Sequence, residues 1–252
     1  MKYNFLSLIF LLCFSLNLKA QQNSFRGNNN YVAPKAASNY VTNGLVLDLD
    51  VGNTTSYPGT GNTWTDLSGG GNNGTIFNSA GYDSANGGSL LFNGSNSYVN
   101  AGNNSSLQLT EGTISAWINA GTSNSGFRGI IAKQLAWSIF VYNNNLITYD
   151  WGNGSIRNTG INVGNNSWNH VAMTFTQTIG NPSNNAIIYL NGIAVLTTTV
   201  KNSGQTQNVL IGEANAGQFF TGKISQASIY NRVLTAEEIL QNFNSLKSRF
   251  GL

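Results

Sequence analysis

From Gly44 onward the chain is a succession of short apolar runs separated by Gly and Asn. Leu45-Val46-Leu47 with Leu49 opens the series. Runs at 90–92, 98–99, 114–118, 129–132, 137–142, 146–151, 168–176, 187–190, 193–200, 209–212 and 224–230 follow. They are of strand length and lack the 3.6-residue period of a helix, so each predicts a β-strand. Asn-Gly occurs six times, at Asn43, Asn73, Asn86, Asn93, Asn153 and Asn191. A two-residue hairpin turn needs positive φ at both central positions, and this dipeptide tolerates that best. Tyr189-Leu190-Asn191-Gly192-Ile193 is the cleanest case. Many short antiparallel strands without intervening helices predict an all-β, two-sheet antiparallel sandwich of the jelly-roll kind. No fixed-period repeat points to a propeller or solenoid.

One stretch reads differently. Thr235 followed by Glu238 forms a capping box, and Ile239, Phe243 and Leu246 then share one face. This predicts a short C-terminal helix latched against the rim of the sandwich.

The N-terminus departs from the strand pattern altogether. Lys2, an apolar run over 5–16 and Leu18-Lys19-Ala20 before Gln21 predict a bacterial export signal over residues 1–20. The run is too short for a membrane span, which takes about twenty residues. No transmembrane segment is therefore expected once the signal is removed. Cys13 follows bulky Leu12, where a lipidation signal wants a small residue. Residues 21–43, polar and aperiodic, read as a flexible lead-in to one domain over residues 44–252. The expected location is extracellular, with retention in the periplasm left open.

Loss of Lys2 and Lys19 with the signal brings the net charge from +3 to about +1, and the single cysteine leaves too. The mature chain then has neither disulfide nor thiol chemistry, and it is long enough to build a core without them. Its basic residues are scattered, without the clustering that a phosphate-tracking groove needs, so nucleic acid is not an expected partner. Charged residues make up 8% of the chain, against roughly 25% in an average domain. A surface of Asn, Ser, Thr and Gly suits recognition of neutral polyols, and equally any exported β-protein.

Several fragments carry a family resemblance. These are Trp64-Thr65-Asp66-Leu67-Ser68-Gly69 with Gly71-Asn72-Asn73-Gly74, Leu91-Phe92-Asn93-Gly94 leading to Tyr98-Val99, and Thr113 to Ile118. Trp168-Asn169-His170-Val171-Ala172 with Tyr189-Leu190-Asn191-Gly192 is the most recognisable pair. Phe220-Thr221-Gly222-Lys223-Ile224 and Ile229-Tyr230-Asn231-Arg232 complete the set. In this order they resemble the laminin-G-like group of the concanavalin A-type lectin/glucanase superfamily. The resemblance implies two stacked antiparallel sheets and no particular ligand, since this fold hosts lectins, adhesins, carriers and hydrolases.

Candidate chemistry is sparse. Glucanases of this fold carry Glu-x-Asp-x-Glu on one strand, whereas Glu111, Glu213, Glu237 and Glu238 have no aspartate two residues away. Glycoside hydrolysis wants two facing carboxylates, and Asp48 with Asp50 lacks a third acid. His170 is the sole histidine and reads as structural, which leaves no histidine-based metal cluster or triad. The chain is thus expected to be a binding module and not an enzyme. A structural calcium is the one cofactor to weigh, with Asp50, Asn53 and Asp66 as its candidate oxygen ligands. Relatives of this kind often place an aspartate after Gly-x-Ile of the closing strand, where this chain has Ser225. For a glycan, Trp137, Tyr142, Tyr149 and Trp151 supply rings that stack on a pyranose, with Asp150 and Arg157 to bond hydroxyls. Tyr57 and Trp64, in a Gly/Thr-rich loop, are the next candidates. The residues leave two functions open: carbohydrate recognition, or a structural and adhesion module that binds a protein or surface partner.

Overall fold

The computed structural model describes residues 40–78, 80–123, 126–176, 185–214 and 217–252. The expected export signal and residues 21–39 of the lead-in lie outside them. Among the described residues, sixteen strands occur in chain order: β1 Leu45–Asp50, β2 Thr63–Trp64, β3 Gly74–Phe77, β4 Gly81–Asp83, β5 Ser89–Asn93, β6 Tyr98–Gly102, β7 Glu111–Ala120 and β8 Phe127–Lys133. They continue as β9 Trp137–Tyr142, β10 Asn145–Asp150, β11 Ser155–Asn162, β12 Trp168–Thr176, β13 Ala186–Leu190, β14 Ile193–Thr198, β15 Val209–Ile211 and β16 Thr221–Tyr230. One α-helix among the described residues, α1 Ala236–Leu246, follows.

The strands form two antiparallel sheets. The first has the order β14-β13-β12-β7-β16-β5-β4, with β1 also paired to β16. The long β16 serves two partners end to end: Thr221 to Ile224 pair with β5, and Gln226 to Tyr230 with β1. The second has the order β11-β10-β9-β8-β15-β6-β3-β2. Leu47, Leu49, Ile114, Ile118, Val171, Met173 and Ile229 of the first sheet meet Val99, Ile139, Val141, Leu146 and Ile211 of the second in one buried core. Each strand offers it alternate residues, as the pleat requires.

Turn chemistry follows the predicted logic in part. Asn191 and Gly192 take φ of 51° and 82° between paired Leu190 and Ile193, closing the β13–β14 hairpin. The β9–β10 hairpin is closed instead by Asn143-Asn144, at 47° and 67°. Asparagine reaches the left-handed region at low enough cost for both.

The capping box at Thr235 forms as the sequence predicts, with Thr235 Oγ1 accepting from the Glu238 amide and Glu238 Oε2 accepting from the Thr235 amide. The helix does not sit at the rim. It lies over the outer face of the first sheet, where Ile239 packs with Ala172, Tyr189 and Tyr230. Phe243 and Phe250 stack on Trp117 with ring centroids 5.7 and 4.2 Å away. The residues just before Gly44, read from sequence as lead-in, pack there too. Asn242 Oδ1 accepts from the Val41 amide, and the Tyr40 hydroxyl donates to Ser228. One outer face of the sandwich is thereby sealed. The outer face of the second sheet has no such cover among the described residues.

Candidate functional site

The uncovered face owes its character to alternation on two strands. On β9, Trp137, Ile139 and Val141 turn into the core, which leaves Ser138, Phe140 and Tyr142 on the other side. On β10, Leu146 turns inward, while Ile147, Tyr149 and the following Trp151 join the outer cluster. Phe127, at the start of β8, completes it. Phe127 meets Phe140 and Tyr149 edge-on, at 5.6 Å and 69° and at 5.8 Å and 86°. Tyr149 and Trp151 lie 4.8 Å apart at 65°. Edge-to-face contact is what the aromatic quadrupole favours, and it holds the rings at fixed angles, with Phe140 buried and Phe127, Tyr149 and Trp151 half-buried.

Phe127, Phe140, Tyr149, Trp151 and Gln218 line a cavity of about 110 Å³. The Trp151 indole N–H donates to Ser138 Oγ at 3.2 Å, which fixes the ring's rotation. Gln218 Oε1 is a buried acceptor without a hydrogen-bond partner among the described residues. A buried amide oxygen left unpaired costs about 1–3 kcal/mol, so Gln218 is held in the cavity wall against that cost.

The expected site residues divide sharply. Tyr142, Tyr149 and Trp151 are brought together on this face. Trp137 is corrected: it is 1% exposed and stacks inside the sandwich on Phe175. Five positions separate it from Tyr142, an odd number, so the two cannot share a face of one strand. Trp64 and Tyr57 are likewise core residues, not loop ligands. Asp150 and Arg157 are committed to internal work. Asp150 Oδ2 accepts from Arg157 at 2.7 Å and from Asn153 Nδ2, and Oδ1 from the Lys201 amide. Arg157 Nε donates to the Thr199 carbonyl. Together they tie the β10–β11 hairpin to the segment after β14. Phe127, Phe140 and Gln218 escaped the sequence reading. Alternation from Tyr142 would have found Phe140, but nothing local marks Gln218, which reaches the cavity from a distant loop.

The candidate calcium ligands are also spoken for. Asp66 Oδ1 accepts from the amides of Asp48 and Ser68, and Oδ2 from Ser68 Oγ and the Asn72 amide. Asn53 Oδ1 caps the Thr55 amide. Asp50 Oδ1 receives the Arg249 guanidinium at 2.6 Å. The same guanidinium reaches Ser225 Oγ and the carbonyls of Gly88 and Asn86. The oxygens of Asp50, Ser225, Gly88 and Asn86 thus converge on a cation that belongs to the chain itself. Among the described residues, no group of three or more His, Cys, Asp and Glu side chains is placed to hold a metal. Burial raises the Asp48 carboxyl to about 6 and lowers His170, held against Trp117 and Phe243, to about 3. Neither lines the aromatic cavity.

Among the described residues, no helix is long and apolar enough to cross a membrane. Comparison with curated proteins gives no match. Among solved structures, the chain resembles the binding domain of Paraclostridial Mosquitocidal Protein 1 at 20% identity and a TM-score of 0.63, over 80% of this chain and 52% of that one. It therefore spans about half the length of that toxin domain. It also resembles domain 4 of an extracellular arabinanase from Geobacillus stearothermophilus, solved in complex with arabinotriose, at 18% identity and a TM-score of 0.58. That likeness covers 79% of this chain and 97% of the arabinanase domain. Trypanosoma rangeli sialidase, at 17% identity and a TM-score of 0.63, matches 95% of this chain with 39% of its own. At these identities the likeness is one of fold. The sequence itself matches a laminin G family model over residues 93–240, so the chain belongs to the concanavalin A-like lectin/glucanases superfamily.

Proposed function

We propose that this domain is a non-catalytic, exported recognition module that holds a neutral glycan against the outer face of its second sheet. One observation carries the reading: four aromatic rings and the Gln218 side chain line one cavity on the open face of the second sheet. A sugar ring fits such a lining, with its C–H face against the rings and its hydroxyls toward the polar Gln218 edge. The arabinanase domain of similar fold, solved with arabinotriose, supports the reading. Export is supported by the apolar N-terminal run. The non-catalytic part is supported by the cavity lining, which contains no carboxylate and so offers neither the acid nor the base of glycoside hydrolysis.

The test is titration of the protein with neutral oligosaccharides, followed by tryptophan fluorescence and calorimetry. Trp64, Trp117 and Trp137 are buried and Trp168 packs on Phe250 at the first sheet, so ligand on the second sheet should act on emission through Trp151. Trp151→Ala is expected to weaken binding about tenfold, near 1.4 kcal/mol. Binding as tight as that of the parent would dispose of the proposed platform. Silence across neutral and acidic glycans, with capture of a protein partner, would favour the adhesion reading instead.

A further inference from the structure

The aromatic cavity occupies one end of a longer feature. Ser138, Ala132, Leu210, Asn100 and Thr75 are successive register partners across β9, β8, β15, β6 and β3. Partners in register project to the same side, so these residues form a row running across the strands. Four inter-strand steps of about 4.8 Å give it a length of roughly 19 Å. The Trp151 indole, bonded to Ser138, begins the row. Beyond Ala132 lies a second cavity of about 240 Å³, whose polar walls are Asn100, Gln134, Gln207, Asn208 and Glu213. It shares Asn100 and Asn208 with a third, of about 320 Å³, which reaches the Asn72-Asn73 loop.

A second aromatic platform stands on the far side. Tyr98 lines the middle cavity and stacks on Phe77 at 4.8 Å and 9°, with Phe219 at 6.4 Å. Phe77 is 38% exposed, and the core makes no use of its outer ring face. The segment carrying Gln207 is pinned from beneath. The Lys133 ammonium, at the end of β8, donates to the Gln207 carbonyl at 2.6 Å and also to Asn103 Oδ1. That amide wall is therefore built, not loosely draped.

We propose that this face accommodates one unbranched neutral polysaccharide chain lying across the strands, seated at the Trp151 cavity and again at the Tyr98–Phe77 platform. The inference rests on the glycan reading above and adds direction, length and charge class to it. Two ring platforms separated by amide-lined space match a polymer whose sugar faces and hydroxyls recur along its length. Glu213 is the only charged side chain lining these three cavities. Its carboxyl, raised by burial, would lie beside any uronate and repel it, whereas a neutral hydroxyl can donate to it.

The experiment measures affinity against chain length. Neutral arabino-, xylo-, manno- and gluco-oligosaccharides from disaccharide to hexasaccharide are titrated, with oligogalacturonides as the acidic arm. Affinity is expected to climb with length in at least one neutral series and to be absent from the acidic one. Tyr98→Ala should weaken hexasaccharide binding roughly three- to tenfold and leave the disaccharide untouched, while Trp151→Ala weakens both. Phe77→Ala, on an exposed side chain, repeats the Tyr98 arm without risk to folding. A disaccharide held as tightly as a hexasaccharide, tight binding of the acidic series, or far-platform variants equal to the parent would each overturn the extended site alone. Absence of binding by every neutral series would overturn it together with the glycan reading.

Discussion

Arg249 joins the last turn of the chain to the start of the domain, and Arg249→Ala measures what that junction contributes. Its guanidinium donates to the Asp50 carboxylate at 2.6 Å, to Ser225 Oγ at 2.5 Å, and to the carbonyls of Asn86 and Gly88 at 2.7 and 3.1 Å. The fit is close: a methyl group added at Gly52 would sit 2.2 Å from its Cζ. Removing a partner from a fully buried ion pair costs about 3–5 kcal/mol. Here both side chains keep about a sixth of their surface exposed, so water recovers part of the loss, and about 2–4 kcal/mol is expected. For a domain of this size roughly 3 °C accompanies each kcal/mol, so Tm should drop about 6–12 °C.

The calcium arm of the same experiment is sharper. With Arg249 in place the four oxygens have their cation, so neither calcium nor a chelator should move the Tm of the parent. Arg249→Ala leaves one carboxylate, two carbonyls and a hydroxyl around a gap. Such a weakly charged set binds calcium at millimolar strength, as in low-affinity extracellular modules. At tenfold excess over a dissociation constant of about 1 mM, calcium should restore about 1.4 kcal/mol. Differential scanning fluorimetry with calcium, magnesium and chelator reads all of this directly. A parent protein that loses stability in chelator would refute the reasoning outright.

Three further outcomes follow from the interior. Acid sensitivity is set by two opposed groups: below pH 6.5 the unfolded chain protonates the histidine that folded His170, at about 3, refuses, while below pH 6 folded Asp48 takes a proton that the unfolded chain resists until about 3.8. Each changes stability by about 1.4 kcal/mol per pH unit with opposite sign, so the two should largely cancel in urea denaturation of the parent from pH 6 to about 4.5, with Glu213, also raised by burial, adding a gain as pH falls. His170→Gln should gain stability over that interval and Asp48→Asn lose it; parallel slopes in all three proteins would contradict the assignment. Gly212→Ala should cost about 2–4 kcal/mol in chemical denaturation, because φ is +78° and the new methyl would lie 2.2 Å from the Phe92 ring. Asp150→Asn should lose about 1–3 kcal/mol with the Arg157 pair yet leave glycan affinity unchanged; a matching loss of affinity would return both residues to the ligand.

What the chain reveals in its sequence depends on how far apart the interacting residues are. Each run rich in β-branched and aromatic residues became a strand, because burying one face is a local requirement that leaves a period-two trace. β11 left little trace. It ends the second sheet, only one side of it is covered, and its Ser155–Asn162 stretch is largely polar. The site was legible only to the same local depth. Tyr142, Tyr149 and Trp151 follow from aromatic content, and counting by twos removes Trp137. Gln218 could not be read, because the loop after β15 meets β9 and β10 only once the sheet has formed. Arg249, which lies 199 positions from Asp50, is the extreme case.

These distant contacts also decide which face is free to recognise anything. Trp117 and Tyr230 on the first sheet are aromatic like Phe140 and Trp151 on the second, and what separates the two pairs is cover. Helix α1 and the Tyr40–Val41 segment cover the first pair. The coverage is fixed by Asn242, which bonds both the Val41 amide and the Tyr230 hydroxyl, and by the Arg249 clamp that follows it. If the seal gave way, the first sheet would present the apolar surface around Trp117 together with the unpaired His170 nitrogens and the Ser228 and Tyr230 hydroxyls. The second sheet combines partly exposed rings with amide walls on a face that stays open in the folded domain, which is the composition that selects. Loosening the seal should therefore cause aggregation, not a change in ligand. Light scattering of Arg249→Ala beside an unchanged glycan titration would separate the two roles.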